Sequence, residues 1–207
     1  LAAQPLVIEL EKLYPQYQIF ITTMTPTGSE QVSRLFSKTT FHSYLPYDSS
    51  LLLVRFINKL HPKLLIIMET EIWPNLLNIA SAHGVKILLA NARLSEKSAS
   101  GYSKFGGLLK MLLSRIDKIG AQSKSDSERF IKLGANPDKI TVTGNLKYHM
   151  DIRSIDEKSG PLFRELSISP RKIITAASTR KGEEEKLIIS IRSMLQKFPE
   201  ALFIIVP

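Results

Sequence analysis

Short apolar runs of strand length alternate with longer amphipathic stretches along most of the chain. Ala2 to Leu13 puts Leu6, Leu10 and Leu13 on one helical face, and Tyr14-Pro15 closes it. Gln18 to Thr23 reads as a strand, Thr25 to Gly28 as a loop and Ser29 to Phe36 as a helix. Phe41 to Leu45 is the next strand, Pro46-Tyr47-Asp48 its loop, and Ser50 to Leu60 an amphipathic helix. Leu64 to Met68 is an unbroken apolar run, the pattern of a strand buried on both faces of a parallel sheet. Pro74 suits a first helical turn, and the helix Leu76 to His83 stops at Gly84. Val85 to Ala90 is a second buried strand, followed by the loop Asn91 to Ser95. Tyr102 to Ser114 reads as helix, Lys118 to Gln122 as strand, Ser125 to Leu133 as helix and Ile140 to Val142 as strand. This βα alternation with short loops predicts a doubly wound parallel sheet of the α/β class.

Gly144-Asn145 ends that series. A polar, mixed stretch follows, and then a second βα series begins: strand Lys172 to Ala177, loop Ser178 to Gly182, helix Glu183 to Lys197, strand Leu202 to Val206. The expected division is a first Rossmann-like domain over 1–149, a linker over 150–169 and the start of a second Rossmann-like domain over 170–207. The chain opens at Leu1 directly in a helical pattern and stops at Pro207 just after an apolar strand. We therefore expect a fragment whose first domain lacks its first strand.

Composition narrows the chemistry. The 207 residues are 43% hydrophobic and 23% charged, ordinary for a folded protein. There are no cysteines, which excludes disulfides, thiolate metal sites and cysteine nucleophiles. His42, His61, His83 and His149 are scattered without metal-ligand spacing, so no metal site is expected. The net charge is +9, which favours anionic partners. Lys86 to Arg129 holds nine Lys/Arg against four Asp/Glu, so +5 of that charge lies there. The basic residues are not interleaved with aromatic stacking platforms, and no zinc-finger or basic-zipper pattern appears, so no nucleic acid is expected. No stretch reaches the ~18 apolar residues of a membrane span.

Ligands of open α/β sheets bind outside the carboxyl ends of the strands, so residues there are candidates. Glu69 and Glu71 follow a strand at once. On continued strand they would share a face with Thr70 opposite; alternatively one buttresses the next helix and the other is solvated. Met24 to Ser29 offers hydroxyls and a helix N-terminus to an anion, or simply caps that helix through Thr27 or Ser29. Arg93 either forks onto a phosphate or carboxylate, or pairs with Glu69 or Glu71. Phe105, Leu108, Leu109, Leu112 and Leu113 form a helical stripe accompanied by Lys104, Lys110 and Arg115. That stripe is either the face packed on the sheet or a surface for an anionic membrane. Lys147, after Gly144-Asn145-Leu146, either carries solvated charge or meets negative charge on a leaving phosphate. Ser178 to Gly182 joins strand to helix without the spacing of a P-loop. Gly182 suits the N-cap with Glu185 at N3, and Arg180 or Lys181 would supply positive charge there.

Several strings together are specific. METEIWPN (Met68 to Asn75), TTMTPTGSE (Thr22 to Glu30), YLPYD (Tyr44 to Asp48), LANARLSEKSASGY (Leu89 to Tyr102), AQS (Ala121 to Ser123), VTGNLK (Val142 to Lys147) and STRKGEEE (Ser178 to Glu185) span the chain. The set resembles the Kdo transferases, which move 3-deoxy-D-manno-octulosonic acid (Kdo) from CMP-Kdo onto a lipid A precursor. The resemblance implies two Rossmann-like domains of the GT-B glycosyltransferase type, the first on the acceptor side and the second on the nucleotide-sugar side. It implies catalytic roles for Glu69 and Lys147, and an acceptor-side group of Thr25, Thr27, Gly28, Glu71 and Arg93. It implies a donor-side group of Ser178, Thr179, Arg180 and Pro207. Arg180 departs from the family pattern, where His is commoner, and Pro207 matches the start of a Pro-Arg pair that touches CMP. The family's general base is a glutamate in a Gly-Glu motif just ahead of the helix that opens here, so we expect the fragment to be inactive. Lipid IVA as acceptor, the cytoplasmic face of the bacterial inner membrane as location, an anionic membrane surface as partner and no cofactor beyond the donor substrate complete the expectation. Two competing readings stand beside it: a non-catalytic basic α/β module that binds an anionic membrane or nucleic acid, and a nucleotide-sugar epimerase of similar fold.

Overall fold

The computed structural model describes residues 2–36, 40–149, 172–180 and 182–206. The expected linker 150–169, Lys181 and Pro207 lie outside the described residues. The chain forms two compact units, Leu1–Met150 and Asp151–Pro207.

The first unit opens with α1 (Gln4–Leu13), β1 (Phe20–Thr23), α2 (Pro26–Leu35), β2 (Phe41–Tyr44) and α3 (Ser50–Leu60). It continues through β3 (Leu64–Met68), α4 (Pro74–Ala82), β4 (Lys86–Ala92), α5 (Glu96–Ser103), α6 (Gly106–Ser114), β5 (Lys118–Ala121), α7 (Lys124–Lys132) and β6 (Ile140–Val142). Every strand pair is parallel, because a helix crosses over between successive strands. The strands make a β1–β2 pair and a four-stranded sheet in the order β3-β4-β5-β6, not one continuous sheet as the sequence predicts. Among the described residues no ladder joins β1 to β3.

This division sets the burial. Leu64–Met68 was expected to be buried on both faces, yet only Ile67 is buried and Leu64 is 44% exposed. The reason is position: β3 pairs with β4 alone and stands at the sheet's edge. The most deeply buried strands are β4 and β5, whose Ile87, Leu89, Ala92, Ile119 and Ala121 are buried. Helices α3, α4, α6 and α7 cover them through Leu53, Leu77, Leu113 and Phe130.

Three local expectations are corrected. The helix Tyr102 to Ser114 is two helices, α5 and α6, broken where Gly106 takes φ +39 ahead of a second glycine. Its apolar stripe divides accordingly: Leu109, Leu112 and Leu113 are core, whereas Phe105 and Leu108 are 62% and 50% exposed. The cap of α2 is Thr25, not Thr27 or Ser29, so the helix starts earlier at Pro26. Pro74 stands in the first turn of α4 as expected.

The second unit holds β7 (Ile173–Ala177), α8 (Glu183–Lys197) and β8 (Leu202–Val206), the two strands again parallel. Gly182 is the N-cap of α8 at φ +93, a left-handed position that favours glycine, and three glutamates fill the first turn.

Candidate functional site

Because β3 to β6 are parallel and adjacent, their carboxyl ends share one edge of the sheet. That edge carries Glu69, Glu71, Arg93 and Lys147, brought from three separate loops. The loop after β3 is a turn rather than continued strand. Glu69 takes φ +60 and its N–H donates to the Ala90 carbonyl at 2.9 Å. The alternating-face argument for Glu69 and Glu71 therefore fails, since it needs extended backbone at both. Glu69 is exposed, and Glu71 accepts from the indole N–H of Trp73 at 3.2 Å.

Arg93 is exposed on the loop after β4, and its carbonyl accepts from the Thr70 hydroxyl. Among the described residues no ion pair joins it to Glu69 or Glu71. The loop is clamped from behind at Leu94. Its N–H donates to buried Asp126 at 2.8 Å, and its carbonyl accepts from Arg129 at 3.1 Å. Asp126 also accepts from the Ser123 hydroxyl and lies 3.5 Å from Arg129. A similar brace holds the start of α4: the Asp48 carboxylate accepts from the N–H groups of Asn75 and Leu76 at 3.1 and 2.9 Å. These are two of the four amides that a helix start leaves unpartnered.

Lys147 lies exposed in a 3-10 turn, Leu146–His149, beyond β6. Its N–H donates to Asn145 Oδ1 at 3.0 Å, and the Leu146 N–H donates to Asn91 Oδ1 at 3.1 Å.

Thr25 caps α2 at the carboxyl end of β1, and Thr27 and Gly28 lie in the first turn of that helix. The Thr25 hydroxyl accepts from Gly28 N–H at 3.1 Å, and a Cβ on Gly28 would come within 3.1 Å of Thr23 Cβ, closer than ordinary contact. On the second unit, Ser178 stands at φ +59 after β7, next to Thr179 and Arg180. Here the glutamates occupy the turn's own donors. Thr179 donates to Glu184 at 3.0 Å and the Arg180 N–H to Glu183 at 2.9 Å. Among the described residues of this turn, the exposed Arg180 side chain is the cation open to an anion. Among the described residues no group of His, Asp or Glu gathers as a metal site.

Sequence reasoning missed the residues that hold the site: Asp48, Asn91, Asp126 and Arg129. Only Asp126 leaves a local signal, since Ser123-x-x-Asp126 has the spacing of a reciprocal helix cap.

The parallel α/β architecture, with an acid, a guanidinium and an ammonium on separate loops at one sheet edge, is a fold of the GT-B type. A solved UDP-GlcNAc 2-epimerase from Neisseria meningitidis, bound to UDP-GlcNAc, shares this fold with a TM-score of 0.68 at 14% identity, over 99% of this chain and 61% of that one. The model of the 3-deoxy-D-manno-octulosonic-acid transferases (Kdo transferases) matches residues 1–150, and the chain belongs to that family. It is 42% identical to a 3-deoxy-D-manno-octulosonic acid transferase of Haemophilus influenzae, over all of this chain and 48% of that protein. It is 33% identical to the Bordetella pertussis enzyme of the same name, over all of this chain and 49% of that protein. The chain thus spans about half the length of the curated relatives it matches.

Proposed function

We propose that this chain supplies the acceptor side, and the opening of the donor side, of an enzyme that transfers Kdo from CMP-Kdo to the lipid A precursor lipid IVA in lipopolysaccharide biosynthesis. The observation that carries this reading is the shared sheet edge of Glu69, Arg93 and Lys147 in a chain whose family match spans residues 1–150.

In the proposed reaction a general base takes the proton from an acceptor sugar hydroxyl, and that oxygen attacks the anomeric carbon of Kdo. The family resemblance gives that role to a glutamate of a Gly-Glu motif. The bond to the CMP phosphate breaks, leaving negative charge on the phosphate and an oxocarbenium-like carbon. Lys147 stabilises the anionic leaving group. Glu69, exposed and without a side-chain hydrogen bond among the described residues, stabilises the cationic carbon or orients the acceptor. Arg93 binds an acceptor phosphate or the Kdo carboxylate, with Thr25, Thr27, Gly28 and Glu71 on the acceptor side. Ser178, Thr179, Arg180 and Pro207 serve the donor. The scheme uses no cofactor beyond the donor.

The proposed location is the cytoplasmic face of the inner membrane. No helix among the described residues is long and apolar enough to cross a membrane. The exposed Phe105, Leu108 and Met111, with Lys104, Lys110 and Arg115 on the same segment, suit an anionic bilayer surface instead.

The test is Kdo transfer by the full-length enzyme, comparing wild type with Glu69→Gln and Lys147→Ala, each checked for folding. Loss of ~100-fold or more in kcat for both is expected, the scale of a lost transition-state electrostatic contact. Full activity in both variants would remove these residue roles. Absence of transfer by the wild type would remove the reaction itself and favour a non-catalytic anion-binding module.

A further inference from the structure

We infer that Asn91 is a positioning residue that pulls the Lys147 turn across the sheet toward Glu69. The inference rests on the proposed role of Lys147. Its starting point is a distance. Glu69 follows β3 and Lys147 follows β6, at opposite sides of the four-stranded sheet. Three strand spacings separate them, roughly 14 Å at the usual spacing between neighbours. Left to follow β6, the turn would hold Lys147 too far away to act on the same sugar-phosphate group as Glu69.

The structure bridges that gap from β4. Leu88 and Leu89 pair with Lys118 and Ile119, but the next pair is Ala92 with Ala121. One extra residue is thus accommodated on β4, a bulge, with Asn91 inside it at φ +53. Bulges re-aim a side chain, and asparagine tolerates the left-handed region better than most residues. The re-aimed side chain is 2% exposed, and its Oδ1 accepts from the Leu146 N–H at 3.1 Å. A residue one position from Lys147 is therefore tied to β4, only one strand from β3. The residue just after β5 braces the tie: Gln122 Nε2 donates to the Asn91 carbonyl at 3.0 Å, and Gln122 N–H donates to the Ala92 carbonyl at 2.9 Å.

The amide is oriented by necessity. Only its oxygen can accept from Leu146, so its Nδ2 must face the other way, where it is buried with no partner among the described residues. A buried donor without a partner is costly. An apolar residue would avoid that cost at this position but would lose the tie. This is the pattern of a residue kept for position rather than for packing.

The test uses the full-length enzyme and three variants: Asn91→Gly, Lys147→Ala and the double variant. Glycine keeps the left-handed backbone free of strain while deleting the acceptor. Amide exchange at Leu146 to Tyr148 reports the tie itself, without reference to activity. Asn91→Gly is expected to accelerate that exchange and to lower kcat about 10-fold. The double variant is expected to match Lys147→Ala within about twofold rather than multiply the two losses, because both act through one ammonium. Leu146→Pro, which removes the donor at the first position of the turn, is expected to reproduce the loss and serves if Asn91→Gly fails to fold. Unchanged exchange, or multiplying losses, would overturn the role of Asn91 while leaving Lys147 in place. Full activity in Lys147→Ala would overturn both.

Discussion

Asp126 offers the sharpest check on how the Arg93 loop is held. The residue is 6% exposed and accepts from the Leu94 N–H at 2.8 Å. Leu94 itself is 1% exposed, so its amide has no water to turn to when the carboxylate is removed. Asp126→Ala leaves that donor dry, frees the Ser123 hydroxyl and takes a partner from Arg129. Breaking a buried charged pair from one side costs ~3–5 kcal/mol. Arg129 keeps its bond to the Leu94 carbonyl and a second carboxylate, Glu96, at 3.5 Å, which argues for the lower end, about 3 kcal/mol. Asp126→Asn keeps an acceptor for Leu94 and should cost only ~1 kcal/mol. The chain has one tryptophan, Trp73, at the start of α4, so fluorescence during urea unfolding follows the first unit alone. Equal slopes with a shifted midpoint are expected. A loss below ~1 kcal/mol for alanine, or equal losses for alanine and asparagine, would refute the clamp.

Asp117 gives a pH dependence. The Ile87 N–H, donating at 2.9 Å, foremost holds its carboxyl below the usual 3.8; burial opposes, and Lys86 at 3.0 Å assists. A depressed value contributes stability that is fully present above about 3.8 and fades as pH falls through the lower folded value. The stability gap between wild type and Asp117→Asn should thus narrow between pH 5 and pH 2, and a constant gap would count against it. Gly134 ends α7 at φ +98, and a Cβ there would meet Lys110 Cγ at 2.8 Å. Gly134→Ala should cost ~1–2 kcal/mol in the same urea assay, from left-handed strain and displacement of Lys110.

The parts of the fold read correctly from sequence are those with local causes. The apolar runs of β4 and β5, Pro74 in a first turn and Gly182 as a cap each depend on a few neighbouring residues. The errors arise where distant partners decide. Leu64–Met68 looks like a central strand, but which strands pair with it is set elsewhere in the chain. Of the two readings of Glu69 and Glu71, the shared strand face fails because nothing in their order encodes the left-handed turn at Glu69. Asn91 was invisible for a stronger reason: its bulge exists only in the register of β4 against β5, and its partner Leu146 lies 55 residues away. Asp48 and Asp126 likewise reach partners 27 to 32 residues distant. The motif strings placed the loops of the site without revealing what braces them.

The braces matter because strand ends here hold non-glycine residues in left-handed backbone: Glu69, Asn91 and Ser178. Such a residue costs ~1–2 kcal/mol, and it persists where surrounding contacts over-determine it. At Glu69 this can be separated from the carboxylate. Glu69→Ala and Glu69→Gly both delete the acid, whose side chain is exposed. They differ only in backbone preference. At an ordinary helix or strand position alanine is the more stable by ~0.5–1 kcal/mol, because glycine loses more freedom on folding. At φ +60 the order should invert, with Glu69→Gly the more stable by about 1 kcal/mol. Both variants should lose Kdo transfer alike, in parallel with Glu69→Gln. Inversion with shared inactivity would mean that the chain holds a destabilising residue for its carboxylate, a trade of stability for function. If alanine proved as stable as glycine, the left-handed turn, and with it the placement of Glu69 beside β4, would be wrong.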